Sequence, residues 1–201
     1  MNRRNAIQFV AKTSALIWAG GLFSACKEGP SFHAIDITGA DYARDFALTD
    51  HNGQSRTLAD FRGKVVMVFF GYTQCPDVCP TSMTEMAAIK KALGADADRF
   101  QGLFVTVDPQ RDKPDMLKAY MESFDPTFLA LYTTPEQTAA LAKDFKVFYK
   151  KVPGSTPDTY TIDHTAGSYV YDPSGKLRLF TRYNTQPEVT VADLRVLLQG
   201  R

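Results

Sequence analysis

The chain has 201 residues, 44% of them hydrophobic and 22% charged, with a formal net charge of +1. That length suits one domain with a full core. The balanced charge argues against nucleic acid or another polyanion as a partner.

Residues 1–25 do not read as part of the fold. Arg3 and Arg4 form a basic start, and residues 14–23 are a short apolar stretch rich in Ala, Gly and Leu. A bilayer needs about 20 apolar residues, so this stretch is too short to span one. Ser24 and Ala25 then precede Cys26 as small residues precede a signal cleavage site. Leu22-Phe23-Ser24-Ala25-Cys26 resembles a bacterial lipobox, whose cysteine becomes the lipidated first residue, with Phe23 in place of the usual Leu. The reading is a lipoprotein signal over 1–25. It implies export to the periplasmic side of a bacterial cell envelope and a membrane anchor at Cys26. Without residues 1–25 the chain carries 20 basic and 22 acidic side chains.

Residues 26–40 hold Gly29, Pro30, Ser31 and Gly39 and little periodicity, so they read as a tether. The folded domain is expected over 41–201. Residues 45–49 and 54–57, around Asp50-His51-Asn52-Gly53, predict a hairpin with an Asn-Gly turn, with His51 solvated at its tip. Residues 58–61 form a helical turn that Gly63 breaks. Residues 65–70, Val-Val-Met-Val-Phe-Phe, are a continuous apolar run and predict a central strand buried on both faces.

Directly after that strand comes Gly71-Tyr72-Thr73-Gln74-Cys75-Pro76-Asp77-Val78-Cys79-Pro80. A helical pattern follows at Met83, Met86, Ala87, Ile89, Lys90 and Leu93. The two cysteines therefore sit where a strand ends and a helix begins, a place that favours thiolate. The spacing is Cys-x-x-x-Cys, so both sulfurs can face one point, and either a soft metal or a disulfide could close the pair. With Cys26 set aside, no other cysteine is present, so the pair does not belong to a disulfide framework.

Residues 100–107 predict a second strand, ending at Asp108-Pro109. Residues 114–123 predict a helix capped by Asp112. A strand over 127–132 and a helix over 135–145 follow. Residues 146–151 and 160–162 flank a loop holding Pro153, Gly154 and Pro157. Residues 168–171 and 177–182 form a hairpin around Asp172-Pro173-Ser174-Gly175, and 189–198 a closing amphipathic helix. This order predicts an α/β fold with a central mixed sheet flanked by helices, preceded by the N-terminal hairpin. Ligands in such folds bind beyond the carboxyl ends of central strands, where Cys75, Cys79 and Asp108 fall.

Two thiolates and one imidazole would make a small trigonal site suited to copper, as Cu(I) or Cu(II). The chain offers three histidines. His33 lies in the tether and His51 in the hairpin turn. His164 lies just before a strand, where a thioredoxin would carry a proline packed on its cysteine pair. Asp77, between the cysteines, and Asp108, at the neighbouring strand end, either tune the site or serve as turn and capping residues. Arg111 pairs with Asp108 or Asp112, as a surface ion pair worth at most about 1 kcal/mol.

The run Gly-Lys-Val-Val-Met-Val-Phe-Phe-Gly-Tyr-Thr-Gln-Cys-Pro-Asp-Val-Cys-Pro, ending at Pro80, resembles the SCO/SenC family of copper-handling proteins. So do Val107-Asp108-Pro109-Gln110-Arg111-Asp112 and Asp163-His164-Thr165. Order and spacing match over roughly residues 45–199, and three motifs in register make the likeness specific. One departure is Gln74, where that family often has His. The resemblance implies a thioredoxin-like fold and one copper ion held by Cys75, Cys79 and His164. It also implies delivery of copper to the dinuclear site of cytochrome c oxidase subunit II, with other periplasmic copper carriers as further partners. An enzymatic alternative is a thiol–disulfide reductase that keeps the partner's cysteines reduced through Cys75 and Cys79. A peroxidase of the same fold is disfavoured by the absence of a Pro-x-x-x-Thr-x-x-Cys motif, and a redox or copper sensor is a further reading.

Overall fold

The structure, a computed structural model, describes residues 31–156 and 159–201. The expected signal over 1–25 and Cys26 lie outside the described residues.

The most apolar run forms the centre of the fold. Strand β4 (Val65–Gly71) is buried at all seven positions, as a strand covered on both faces must be. It pairs in parallel with β5 (Phe100–Thr106) and antiparallel with β9 (Ser168–Tyr171). Strand β6 (Leu129–Tyr132) extends the sheet beyond β5. The predicted hairpin is present as β2 (Leu48–Asp50) and β3 (Ser55–Arg56), added antiparallel beyond β6. On the other side lie β10 (Leu177–Thr181) and the short β1 (Ile35–Asp36). The full order is β1-β10-β9-β4-β5-β6-β2-β3, a mixed sheet. Strands β7 (Tyr149–Pro153) and β8 (Tyr160–His164) form a separate two-stranded sheet.

Helix α1 (Val78–Leu93) buries Cys79, Met83, Met86, Ile89 and Leu93, a spacing of three and four residues that puts one face on the sheet. It ends at Gly94, whose φ of 61° suits glycine. It packs against α4 (Pro187–Leu198). Helices α2 (Pro114–Glu122) and α3 (Pro135–Asp144) both begin with proline, where its missing N–H costs nothing. The architecture is thioredoxin-like, as predicted, with helices flanking the mixed sheet.

Three expectations need correcting. The tether is not free over its whole length. Asp193, buried on α4, accepts hydrogen bonds from the backbone N–H groups of His33 and Ala34 at 3.0 and 2.8 Å, and its carboxylate also pairs with the His33 ring at 3.0 Å. A buried carboxylate needs such donors, and the segment supplies them before β1 joins the sheet edge. Second, Asp112 does not cap α2. Lys113 holds that position, and the Asp112 carboxylate turns inward. Third, His51 is half-buried, and its Nδ1 accepts from the Ala130 N–H at 3.1 Å. Burial lowers its pKa and keeps it neutral.

The Asp193 contacts carry a testable consequence. Asp193→Ala is expected to lose about 1.5–3 kcal/mol of stability, the scale of hydrogen bonds to a charged group. Limited proteolysis should then cut the chain around residues 33–37 before the rest of the domain. Unchanged protection of this segment would show that β1 alone holds it.

Candidate metal centre

The end of β4 determines where the cysteines lie. Gly71 closes the strand, and a Cβ built there would meet the Cys79 Sγ at 2.8 Å, Phe69 at 2.8 Å and Phe104 at 2.9 Å. Only glycine lets the sulfur sit against the strand backbone. Cys79 occupies the first turn of α1 and is 0% exposed. Cys75 lies in the preceding loop, partly exposed, in front of the helix N-terminus. Both are free thiols.

The loop is tied down by Asp112. Its carboxylate accepts from the Thr73 N–H at 3.1 Å, the Thr73 hydroxyl at 2.5 Å and the Thr106 hydroxyl at 2.6 Å. Burial, the largest influence, raises its pKa, and these donors partly offset that. Asp112 thus links the ends of β4 and β5 two residues before Cys75. Sequence reasoning missed this role. The available signal was a second carboxylate directly after Asp108 and Arg111 at a strand end.

His164 arrives from the other side, as the last residue of β8. Its ring stands edge-on to Phe69 and Tyr72, each with centroids 5.9 Å away. Its Nδ1 lies 3.0 Å from the Thr165 carbonyl oxygen, which can only accept, so Nδ1 carries the proton. Nε2 therefore presents a lone pair, and the Cys79 Sγ lies 3.3 Å from it. A backbone carbonyl on the far nitrogen is the usual device for orienting a metal-binding imidazole.

The ligand atoms of Cys75, Cys79 and His164 all lie within 4.8 Å of one another, and among the described residues no other group of three could hold a metal. Three donors about 2.0–2.3 Å from one ion in a trigonal arrangement stand about 3.7–4.0 Å apart, so side-chain shifts of up to about 1 Å would close the site. The donor set, two sulfurs and one imidazole nitrogen, suits copper. A cavity of about 420 Å³ opens above it, lined by Cys75, Asp77, His164 and their neighbours, while Cys79 lies beneath.

The two thiols are electrostatically unequal. A hydrogen bond from Cys79 brings the Cys75 pKa down to about 4, helped by the backbone N–H groups of Asp77 and Cys79. The same hydrogen bond, followed by burial, pushes the Cys79 pKa up. The arrangement favours the thiolate on Cys75 and the thiol on the buried Cys79.

Asp77 flanks α1 at its N-terminus, is exposed and lines the cavity, and its side chain makes no capping hydrogen bond. Asp108 does not reach the cavity. It is 1% exposed and receives Arg111 and the Tyr160 hydroxyl. The Asp108–Arg111 pair is therefore part-buried, with the carboxylate buried, and is not the surface pair expected. His33 and His51 stay with Asp193 and Ala130.

A family model described as SCO1/SenC matches residues 36–199. The chain belongs to the SCO1/SenC family. An SCO2-like protein of Rickettsia conorii is 32% identical over 198 residues, covering 95% of this chain and 97% of that one. The mitochondrial SCO2 homologue of Mus musculus is 38% identical over 141 residues, and the match covers 69% of this chain and 54% of the mouse protein. Among solved structures, ScoI of Bradyrhizobium japonicum with copper bound aligns with a TM-score of 0.68 at 42% identity, covering 75% of this chain and 96% of that one.

The unequal thiols make a pH titration decisive. In the reduced, metal-free protein, ultraviolet thiolate absorbance should rise as pH passes upward through about 4, to one equivalent at neutral pH. Cys75→Ser should remove this step. A first thiolate that forms only in the alkaline range would overturn the assignment.

Proposed function

We propose that this protein is a copper metallochaperone that holds one ion through Cys75, Cys79 and His164 and passes it to the dinuclear copper site of cytochrome c oxidase subunit II. The observation that carries this reading is the convergence of three soft and borderline donors within 4.8 Å below an open cavity. The copper-bound structure of a 42% identical relative supports it. The Cys75 thiolate meets the incoming ion first. Binding through Cys79 displaces its proton to solvent, because only a deprotonated sulfur is a ligand. The His164 Nε2 lone pair is already aimed inward. Cys75 and His164 both line the cavity, so a partner's thiol can enter and take the metal by exchange.

The second reading, a thiol–disulfide reductase, is favoured by the unequal thiols. A low-pKa, accessible Cys75 can attack a partner's disulfide. Buried Cys79 then attacks the mixed disulfide. The partner leaves as a dithiol, and two electrons pass to it as Cys75 and Cys79 become a disulfide.

His164→Ala separates the two. Two thiolates can still hold Cu(I) linearly, whereas Cu(II) prefers more ligands with nitrogen among them. The variant should keep its fold and a reducible cysteine pair. Its Cu(II) affinity should fall by at least about 100-fold, the upper end of what even supporting residues contribute, and its Cu(I) affinity by less. In cells lacking the native protein it should fail to restore oxidase activity at limiting copper. Full rescue there would leave the reductase as the function. The only tryptophan is Trp18, so copper on the domain must be followed by absorption or a competing chelator.

We further propose that the protein works at the periplasmic side of a bacterial membrane, held by lipid on Cys26. Among the described residues no helix is long and apolar enough to cross a membrane. Several acyl chains would anchor it stably where a single chain would be marginal. Intact mass of the membrane-extracted protein should show residues 26–201 plus a lipid adduct. An unmodified Cys26 in a soluble product would sink the anchor.

A further inference from the structure

The metal site is assembled from two bodies. Cys75 and Cys79 follow the central strand, but His164 ends β8, whose only strand partner among the described residues is β7. Sheet hydrogen bonds therefore do not fix the imidazole relative to the sulfurs. That task falls to side chains between the hairpin and the ends of β4 and β5.

One arginine lies at the centre of them. The Arg111 guanidinium stacks 3.6 Å from the Tyr160 ring centroid on β8 and lies 5.6 Å from the Tyr72 ring, three residues before Cys75. Its Nη1 donates to the Tyr160 carbonyl oxygen at 2.9 Å, and its Nε donates to Asp108. The Tyr160 hydroxyl donates to the same Asp108 carboxylate at 2.9 Å. The Tyr72 hydroxyl accepts from the Ile162 N–H at 3.1 Å, two residues before His164. Arg111 Nη2 is buried with no hydrogen-bond partner among the described residues. An arginine serving only to neutralise Asp108 would leave that nitrogen in water. Here it is forgone so that the planar group can fill the space between two tyrosines.

We propose that Arg111 is a positioning residue: by clamping Tyr160 against Asp108 and the Tyr72 loop, it holds His164 at coordinating distance from the cysteine pair. The inference rests on the copper reading above. Cu(II) needs the imidazole and Cu(I) can be held by two thiolates, so the clamp sets the preference between the two oxidation states.

The test uses the reduced domain with Arg111→Gln and Arg111→Lys, and with Leu48→Ala as a core deletion in the β2–β3 hairpin, remote from the site. Copper is added as Cu(II) or, separately, as Cu(I) under a competing chelator, below the melting temperature of every variant. Arg111→Gln should weaken Cu(II) binding about 10- to 100-fold, the usual cost of losing a residue that orients a ligand, and change its thiolate-to-copper absorption. Cu(I) affinity should change far less. Arg111→Lys keeps the charge on Asp108 but lacks the planar fork, so it should share the Cu(II) defect. Leu48→Ala should bind both ions as the unaltered protein does. A metal-free readout accompanies these: hydrogen exchange at the Ile162 amide should speed up in both Arg111 variants and not in Leu48→Ala. Full Cu(II) binding by Arg111→Lys would show that charge alone suffices and overturn the clamp. So would a Cu(II) loss in Leu48→Ala equal to that in Arg111→Gln, because the effect would then follow stability. Failure of the unaltered protein to bind copper would sink the metallochaperone reading itself, and unchanged exchange at Ile162 would sink the clamp independently.

Discussion

The contact between the Cys79 sulfur and the backbone of Gly71 is the constraint on which the rest of the site depends. The buried Cys79 sulfur stands where a Cβ on residue 71 would lie, and Phe69 and Phe104 crowd the same spot. Close-packed interiors transmit small displacements instead of absorbing them. Cys79 is therefore the fixed point, and everything else is placed relative to it. Cys75 is positioned by the loop that Asp112 ties to β5, and His164 by its edge-on contacts with Phe69 and Tyr72. The same strand that builds the core, β4, thus also sets the coordinates of the metal site.

Burial and exposure divide the labour between the sulfurs. The hydrogen bond to Cys75, and then burial, favour the thiol at Cys79, and the thiolate is favoured at Cys75, which faces the cavity. This arrangement serves an incoming metal and a partner's disulfide equally well. Electrostatics at the pair cannot distinguish the two roles; the imidazole can, because a reductase does not need a ligand there.

The sequence made the central strand, the cysteine pair and His164 legible because each has a local signal. Six apolar residues in a row, Val65 to Phe70, have one plausible place in a mixed sheet, and Cys75, Cys79 and His164 lie in motifs whose register resembles one family. What stayed hidden depends on contacts between distant segments. Asp112 looked like a helix cap because it stands just ahead of Pro114, yet its partners are Thr73 and Thr106. Arg111 looked like a surface residue because nothing in its neighbourhood announces Tyr160, 49 residues later. The tether looked free because Gly39 and Pro30 suggest looseness, while the donors that bind Asp193 are backbone N–H groups of His33 and Ala34, invisible to composition.

Geometry also decides how the proposed metal and redox chemistries would coexist. In a disulfide the sulfurs approach to about 2.05 Å. Around one ion each sulfur stands about 2.3 Å from the metal, so the two lie well apart on either side of it. A single pair cannot satisfy both distances, and oxidation removes the thiolates as ligands in any case. Cys79 is fully buried beside Gly71, whereas Cys75 is partly exposed in a loop, so Cys75 is the sulfur with more room to move. The change between metal-ready and oxidised forms is thus confined to one short loop at the cavity wall. His164, on a separate hairpin, need not move for the disulfide to form. On the proposed reading, oxidation of the pair would remove the metal site and reduction would restore it, while the sheet that organises it stays unchanged.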